Sequence, residues 1–230
     1  MFTIVRRMSS PSTSAPGRGR PARLDRTRTV ETALDLLDEH GLEALTMRRL
    51  ADAVGARAGA LYRHFATKDD LLTEMAERMV APAAAGAAPG DGTWRTALAG
   101  RARALRAALL ARRDGARVYA GTHPTGPNTL GFADSVVSVL IGAGFGEEDA
   151  ARALLAVADF TLGHTLEEQA AVSPDGPADP ARLREAATGE AYPHLARALP
   201  VVTSADFTAR FEFGLDLLIT GLSARGPHTG

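Results

Sequence analysis

Between Thr46 and Phe65 two short helical patterns stand either side of a single glycine, Gly55, and this arrangement narrows the possible folds more than any other stretch of the chain. Leu50, Val54, Leu61 and Phe65 are spaced to meet on an inner face, and Ala51 is small where two helices would cross closely. Gly55 permits a turn that a side chain would resist. The spacing predicts one helix from Thr46 through Val54 and a second from about Arg57 to Phe65. Upstream, Val30, Ala33, Leu34 and Leu37 share one face of a helix that begins near Asp25 and stops at Gly41. A packing helix followed by two short helices at a steep angle reads as a helix-turn-helix. Thr67, with Asp70 three residues on, forms a capping pattern that opens the next helix. That helix carries Leu71, Leu72, Met75 and Met79 and is expected to fray near Pro82.

The remainder of the 230 residues also reads as helix. Hydrophobic residues make up 45% of the chain but aromatics only 5%, and alanine and leucine, which lose little on entering a helix, dominate the apolar set. The fold class expected is therefore all-α, with further helices at about 93–113, 115–121, 126–143, 147–171, 180–190 and 203–223. Pro174, Pro177 and Pro180 mark a loop. The last helix has two apolar stripes, which calls for two neighbours or a partner subunit. Three units are expected: a disordered basic arm over 1–22, a helix-turn-helix domain over 23–80 and a second helical domain over 81–230, with the Ala/Gly/Pro-rich stretch 81–92 as the boundary between the last two.

Net charge is −1, but the charge is unevenly placed. Residues 1–28 hold seven arginines against Asp25 alone, and residues 46–68 hold Arg48, Arg49, Arg57, Arg63 and Lys68 against Asp52 alone. A local basic surface is the electrostatic footprint of phosphate binding, with a solvated basic tail as the alternative source of such a bias. Within the arm, Arg18-Gly19-Arg20-Pro21 resembles the core of a minor-groove hook, although a plain disordered tail is the reading preferred for four residues alone. The chain has no cysteine, which excludes disulfides, thiol catalysis and cysteine-bound zinc. No apolar run approaches a membrane span, and Met1 to Met8 are too short and too charged for a secretory signal, so a cytoplasmic protein is expected.

The stretch from Val30 to Met75, and above all Leu-Tyr-x-His-Phe at 61–65 followed by Lys68, resembles the DNA-binding domain of TetR-family repressors. The resemblance implies a homodimer on a double-stranded operator. It implies that Thr46 caps the first short helix and meets phosphate, and that Arg48 reaches a base edge or phosphate. By the same likeness, Arg57, Ala58, Gly59 and Ala60 begin the recognition helix, and Tyr62, Arg63, His64 and Lys68 clamp the backbone. Because Ala58, Gly59 and Ala60 offer no hydrogen-bonding side chain, direct readout falls to Arg48, Arg57 and Arg63, with alanine methyls available to thymine.

Residues 113–124 and 158–169 are similar to the ligand domain of the tetracycline repressor subgroup, which implies an effector pocket and dimerisation through helices at about 147–171 and 203–223. Tyr119 stands where the subgroup has a metal-binding histidine, and Leu105, Val136 and Asp159 differ in type from its drug contacts, while Thr122 and Glu167 are retained. A phenol is a poor ligand for a hard cation, so a different, mainly apolar effector is expected, with no metal and no cofactor. His123 and Phe160 complete the candidate lining, His123 being equally readable as a loop histidine and Phe160 as core. His164 lies three and four residues before Glu167 and Glu168, a metal-compatible spacing that reads more simply as a helical His–Glu pair. Nucleophile-elbow, Walker and zinc-protease patterns are absent, and Gly142 to Gly146 joins helices instead of following a strand, so no enzyme is expected. The rival reading is a helical ligand-binding or scaffolding protein without specific DNA binding.

Overall fold

The computed structural model describes residues 24–86, 92–172 and 180–226. The expected basic arm, residues 87–91 of the 81–92 boundary stretch, and the loop at Pro174 and Pro177 lie outside these residues. Among the described residues the chain forms eleven α-helices and no strand.

The first four helices form an N-terminal head around one core. α1 (Arg26–His40) is capped by the Asp25 carboxylate, which accepts from the Arg28 amide, and stops at Gly41 with φ +79°. α2 (Met47–Ala53) ends in a turn in which Gly55 takes φ +66°, Ala56 N–H bonds the Ala51 carbonyl and Gly55 N–H bonds the Asp52 carbonyl. This is the left-handed helix stop that glycine favours, and it turns the chain into α3 (Ala58–Leu61). α3 is shorter than the spacing suggests. Its α-helical part ends at Leu61, and bonds from His64 and Phe65 N–H to the Leu61 carbonyl hold the next residues as tight turns. Gly59 weakens the helix, and the chain must bend to bring Phe65 inside. Leu34, Leu37, Leu50, Leu61, Phe65, Leu71 and Met75 fill the head's core and are almost wholly buried.

α4 (Lys68–Ala85) opens with the full capping box: Thr67 Oγ1 accepts from Asp70 N–H at 3.0 Å, and Asp70 Oδ2 accepts from Thr67 N–H at 2.9 Å. It does not fray at Pro82 but continues to Ala85. Pro82 sits on the exposed side while Val80 and Ala83 bury in the second core, and that packing holds the turn despite the missing hydrogen bond. α4 thus serves both cores, its Leu71 to Met79 in the first and its Val80 and Ala83 in the second.

The body comprises α5 (Trp94–Leu110), α6 (Gly115–Ala120), α7 (Pro127–Gly142), α8 (Glu147–Val172), α9 (Pro180–Ala186), α10 (Pro193–Val202) and α11 (Phe207–Arg225). Its core joins Leu98, Leu105 and Leu109 of α5, Phe132, Val136 and Leu140 of α7, Val157 of α8, and Phe211 and Leu215 of α11. Trp94 meets Phe145 edge-on at 5.0 Å. Sequence spacing did not anticipate α10, whose Pro193 sits at a helix start, where its missing N–H costs nothing. α9 accordingly stops at Ala186 rather than near residue 190, and α11 starts at Phe207, where Asp206 accepts from Ala209 N–H, rather than near residue 203. No helix among the described residues is long and apolar enough to cross a membrane.

Candidate DNA-reading surface and effector site

α2 and α3 present the basic residues of the head. Thr46 Oγ1 accepts from Arg49 N–H at 3.1 Å, which leaves its own O–H free to donate outward. Thr46, Arg48, Arg57, Gly59, Tyr62 and Arg63 are exposed; Ala58, Ala60, His64 and Lys68 are half-buried. Arg57 stands at the N-cap of α3 and makes no side-chain capping bond. Arg49 turns back to the Ala44 carbonyl at 3.0 Å, so it braces the loop while its neighbour Arg48 stays exposed. Arg26, Arg78, Arg112 and Arg117 are each paired with a carboxylate. Among the described residues Arg48, Arg57, Arg63 and Lys68 are not. The ten expected DNA-contacting residues therefore fall on one short stretch, with four uncompensated cations.

The base of this surface is tied to the start of α1. Arg26 donates to the His64 carbonyl at 2.6 Å, pairs with Glu74 at 2.8 Å and lies 4.7 Å over the Phe65 ring.

Polar joints connect head to body. Asp38 of α1 accepts from the Arg112 guanidinium at 2.6 Å and from Arg113 N–H at 2.9 Å. Asp114, held at φ +55°, accepts from Leu42 N–H at 2.9 Å, and Arg117 pairs with Glu43 at 2.7 Å. On the other side, Glu77 of α4 accepts from Asn128 N–H, from Thr129 N–H at 3.2 Å and from Thr129 Oγ1–H at 2.7 Å. Gly126, the N-cap residue of α7, supplies no side-chain cap, and Glu77 serves in its place. A cleft of about 450 Å³ lies in the first joint, between Leu42 and Gln169, and one of about 590 Å³ lies between Leu34, Pro82 and Ala108.

α6 touches both halves. Val118 is buried in the head's core, and Tyr119 packs against both cores. Burial, and secondarily the nearby Glu77 charge, push the Tyr119 phenol above its ordinary range, so it stays neutral and able to donate. Thr122 is buried and donates to the Tyr119 carbonyl at 3.1 Å. Leu105, Val136 and Phe160 join Tyr119 around the body's core, Phe160 stacking on Phe211 at 5.4 Å and filling the space beside Gly214. His123, Asp159 and Glu167 are exposed on the single chain. The structure thus gathers Leu105, Tyr119, Thr122, Val136 and Phe160 about the interior and leaves the other three candidates at the surface.

Four features of the interior were missed from sequence. Arg101 is buried on α5 with its guanidinium 2.9 Å from Ser135 Oγ of α7, and burial lowers its pKa. Its position three residues after Leu98 on the apolar face was the available signal. The Thr161 hydroxyl is buried without a hydrogen-bond partner. The Gln169 amide accepts from Ala116 N–H and donates to the Leu109 and Arg112 carbonyls, pinning the turn between α5 and α6. Arg106 grips Glu168 with two bonds of 2.8 and 2.7 Å and lies 5.1 Å over Phe211. His164 Nε2 lies 2.9 Å from the Phe207 carbonyl oxygen and 4.0 Å from the Glu168 carboxylate, and no group of three metal-ligating side chains occurs among the described residues.

Outside the core, α8 and α11 expose large apolar side chains, Leu155 at 60%, Phe213 at 69% and Leu217 at 57%.

Residues 30–75 match the family model described as "Bacterial regulatory proteins, tetR family", and residues 86–225 match that described as "Tetracyclin repressor-like, C-terminal domain". The chain is 40% identical over 217 residues to the tetracycline repressor protein class A from transposon 1721 of Escherichia coli, covering 90% of this chain and 98% of that protein. Among solved structures it is similar to a possible TetR family transcriptional regulator from Streptomyces coelicolor A3(2), with 66% identity, a TM-score of 0.83, and 87% and 99% of the two chains covered. It is also similar to the Streptomyces coelicolor TetR family protein ActR in complex with (S)-DNPA, with 31% identity, a TM-score of 0.77, and 89% and 100% covered.

Proposed function

Because the chain belongs to the TetR family of bacterial regulatory proteins, it is a ligand-responsive DNA-binding repressor, and we propose that it acts in the cytoplasm as a homodimer on a palindromic operator and is released by a small, mainly apolar effector. The observation that carries the operator-binding part is the run of four uncompensated cations, Arg48, Arg57, Arg63 and Lys68, on and around two short helices. Arg48 and Arg57 are the readers of base edges in this account. Thr46, Tyr62, Arg63, His64 and Lys68 fix register on the phosphates, and Ala58, Gly59 and Ala60 let the start of α3 approach the groove floor. Chemistry on a substrate is no part of this reading.

The exposed apolar faces of α8 and α11 support the dimer, since Leu155, Phe213 and Leu217 would be covered by the same helices of a second copy. A dimer of this kind places its two reading helices about 34–36 Å apart, one turn of DNA. The functional units are residues 23–80 for reading and 81–230 for effector binding and dimerisation, preceded by a basic arm.

The effector enters the body's core, to which Leu105, Val136, Tyr119 and Phe160 contribute, beside the buried Thr122 that bonds the Tyr119 carbonyl, with the neutral Tyr119 hydroxyl and the unpartnered Thr161 hydroxyl as polar anchors. His123, Asp159 and Glu167 reach it only if the second subunit or the effector brings them in. A ligand that displaces α6 acts on the head in two ways at once, through Val118 in the head's core and through Asp114 and Arg117 against the α1–α2 loop. The head then turns, the spacing changes and operator affinity falls. Couplings of this type run to about 1–3 kcal/mol.

Mobility shift on duplexes covering the region upstream of the protein's own gene tests the proposal. A complex of two chains per duplex that survives excess random competitor is expected. Failure to shift any fragment at low salt would favour the rival, a ligand-binding helical protein that does not read DNA.

A further inference from the structure

We infer that Arg26 is a positioning residue for DNA reading: it staples the turn after α3 to α1 and α4, and so presets Tyr62, Arg63 and His64 to meet the phosphates. The inference rests on the operator-binding reading above and adds to it a residue that acts without touching DNA itself.

Nothing in α1 calls for a cation at this position. Arg26 is the first residue of the helix, directly after the Asp25 cap, and the first turn holds no acidic residue. A positive charge there opposes the helix dipole. The guanidinium reaches instead to distant parts of the chain. Nη1 donates to the His64 carbonyl at 2.6 Å, Nη2 bonds Glu74 of α4 at 2.8 Å, and the carbon between them lies 4.7 Å over the Phe65 ring. One planar group thus joins three segments, a fork that an ammonium does not reproduce.

The turn it holds is short of bonds of its own. α3 is four residues long, and beyond Leu61 the helical ladder lapses, with His64 and Phe65 N–H both turning back to the Leu61 carbonyl. Among the described residues no backbone N–H donates to the His64 carbonyl. Arg26 therefore supplies the bond that a longer helix would have made for itself. Phe65 is wholly buried and anchors the turn by its side chain, while Arg26 anchors the same turn by its backbone. Tyr62, Arg63 and His64 belong to that turn, and Lys68 opens the helix that carries Glu74. Groups held in place before DNA arrives cost less to order on binding. The other ion pair between α1 and α4, Arg78 with Glu31, makes no bond to the turn among the described residues and serves as the control.

The test uses the full chain and its R26A, E74A, R26A/E74A and R78A variants. Affinity for a duplex that the wild type selects from a randomised library, and for its scramble, is measured over a range of salt, with Tm alongside. R26A should weaken operator binding about fivefold for each half-site bound, the worth of one half-exposed bond to a charged group. Its salt slope should stay within about half a unit of wild type, because no phosphate contact is lost. E74A carries the sharper sign. By charge alone, deleting an acid from a phosphate-binding domain tightens binding. Freeing the guanidinium should instead weaken it, by about twofold or more. R26A/E74A should bind no worse than R26A, since the pair acts as one unit. R78A should lower Tm and leave operator affinity within about twofold of wild type. A slope lower by about one unit in R26A would make Arg26 a phosphate contact and overturn the inference. Tighter binding by E74A would overturn it too, as would equal losses in R26A and R78A, which would reduce the staple to general stiffness of the head. If R26A does not fold, the sign of the E74A effect decides alone. A wild type that does not prefer the selected duplex over its scramble removes the operator reading itself, whereas a preference unchanged in R26A and E74A removes only the staple.

Discussion

Glu77 is the most informative place to perturb the link between head and body. Its carboxylate sits on α4 yet caps α7, accepting from two backbone N–H groups and the Thr129 hydroxyl. Glu77→Ala removes all three bonds and a negative charge at a helix start. An N-cap is worth about 0.5–2 kcal/mol and the charge at the helix dipole about 0.3–1 kcal/mol. Because the groups are part-buried, the whole change should cost about 2–3 kcal/mol, within the range for hydrogen bonds to a charged group. For a chain of this size that is a fall in Tm of roughly 4–12 °C. The neighbouring Gly126 makes the argument sharper. A Cβ there would lie 2.4 Å from the Glu77 carboxyl carbon, so Gly126→Ser should cost about 1–3 kcal/mol through overpacking in the wild type. In the E77A background that space is empty, and the introduced serine hydroxyl can cap α7 itself, restoring about 1 kcal/mol. One substitution should thus change sign between two backgrounds. Thermal unfolding of the four proteins, followed by circular dichroism at matched concentration, reads the cycle. If Gly126→Ser destabilises both backgrounds equally, Glu77 is not the cap of α7 and this account of the joint is wrong.

The other expectations follow from the same geometry. Lys68→Ala should weaken binding to operator and random DNA alike and lower the salt slope by about one unit per bound protomer; Arg48→Ala should weaken operator binding more than random binding, and equal losses would make Arg48 a phosphate contact. F213D/L217D places carboxylates where the second copy is proposed to pack, so light scattering should report a monomer, and a persistent dimer would relocate the interface. Burial holds His164 below the usual histidine range, against opposing pulls from the Phe207 carbonyl and Glu168. The unfolded chain therefore takes up the proton first, and stability should drop as pH falls below about 6.5. His164→Asn should flatten that part of the Tm–pH profile, and an unchanged profile would place the dependence elsewhere.

The local grammar of the head was legible in the sequence because it is written within a few residues. Gly55, the Thr67–Asp70 capping box and the apolar face of α1 each appear where spacing put them. The length of α3 was not legible, since Phe65 is drawn inward by a core whose other members lie on α1 and α4. Nor was α10, a short helix carrying two prolines. The joints between head and body were invisible for a different reason: Asp38 with Arg112, and Glu77 with Thr129, are more than fifty residues apart and bear no local signature. In the effector site, resemblance located Tyr119 and Thr122 near the interior but could not distinguish Val136, which is buried, from Asp159, which is exposed on the single chain. The buried Arg101 went unnoticed because a lone arginine on a helix usually marks its wet face.

The central claim is that two copies of one short basic helix read DNA together. Hydroxyl-radical footprinting of the full chain on a selected duplex tests it most directly. The account predicts two symmetric protected half-sites whose centres lie about one helical turn, or a whole number of turns, apart. A single protected half-site, or protection spread without sequence preference along the duplex, would contradict it.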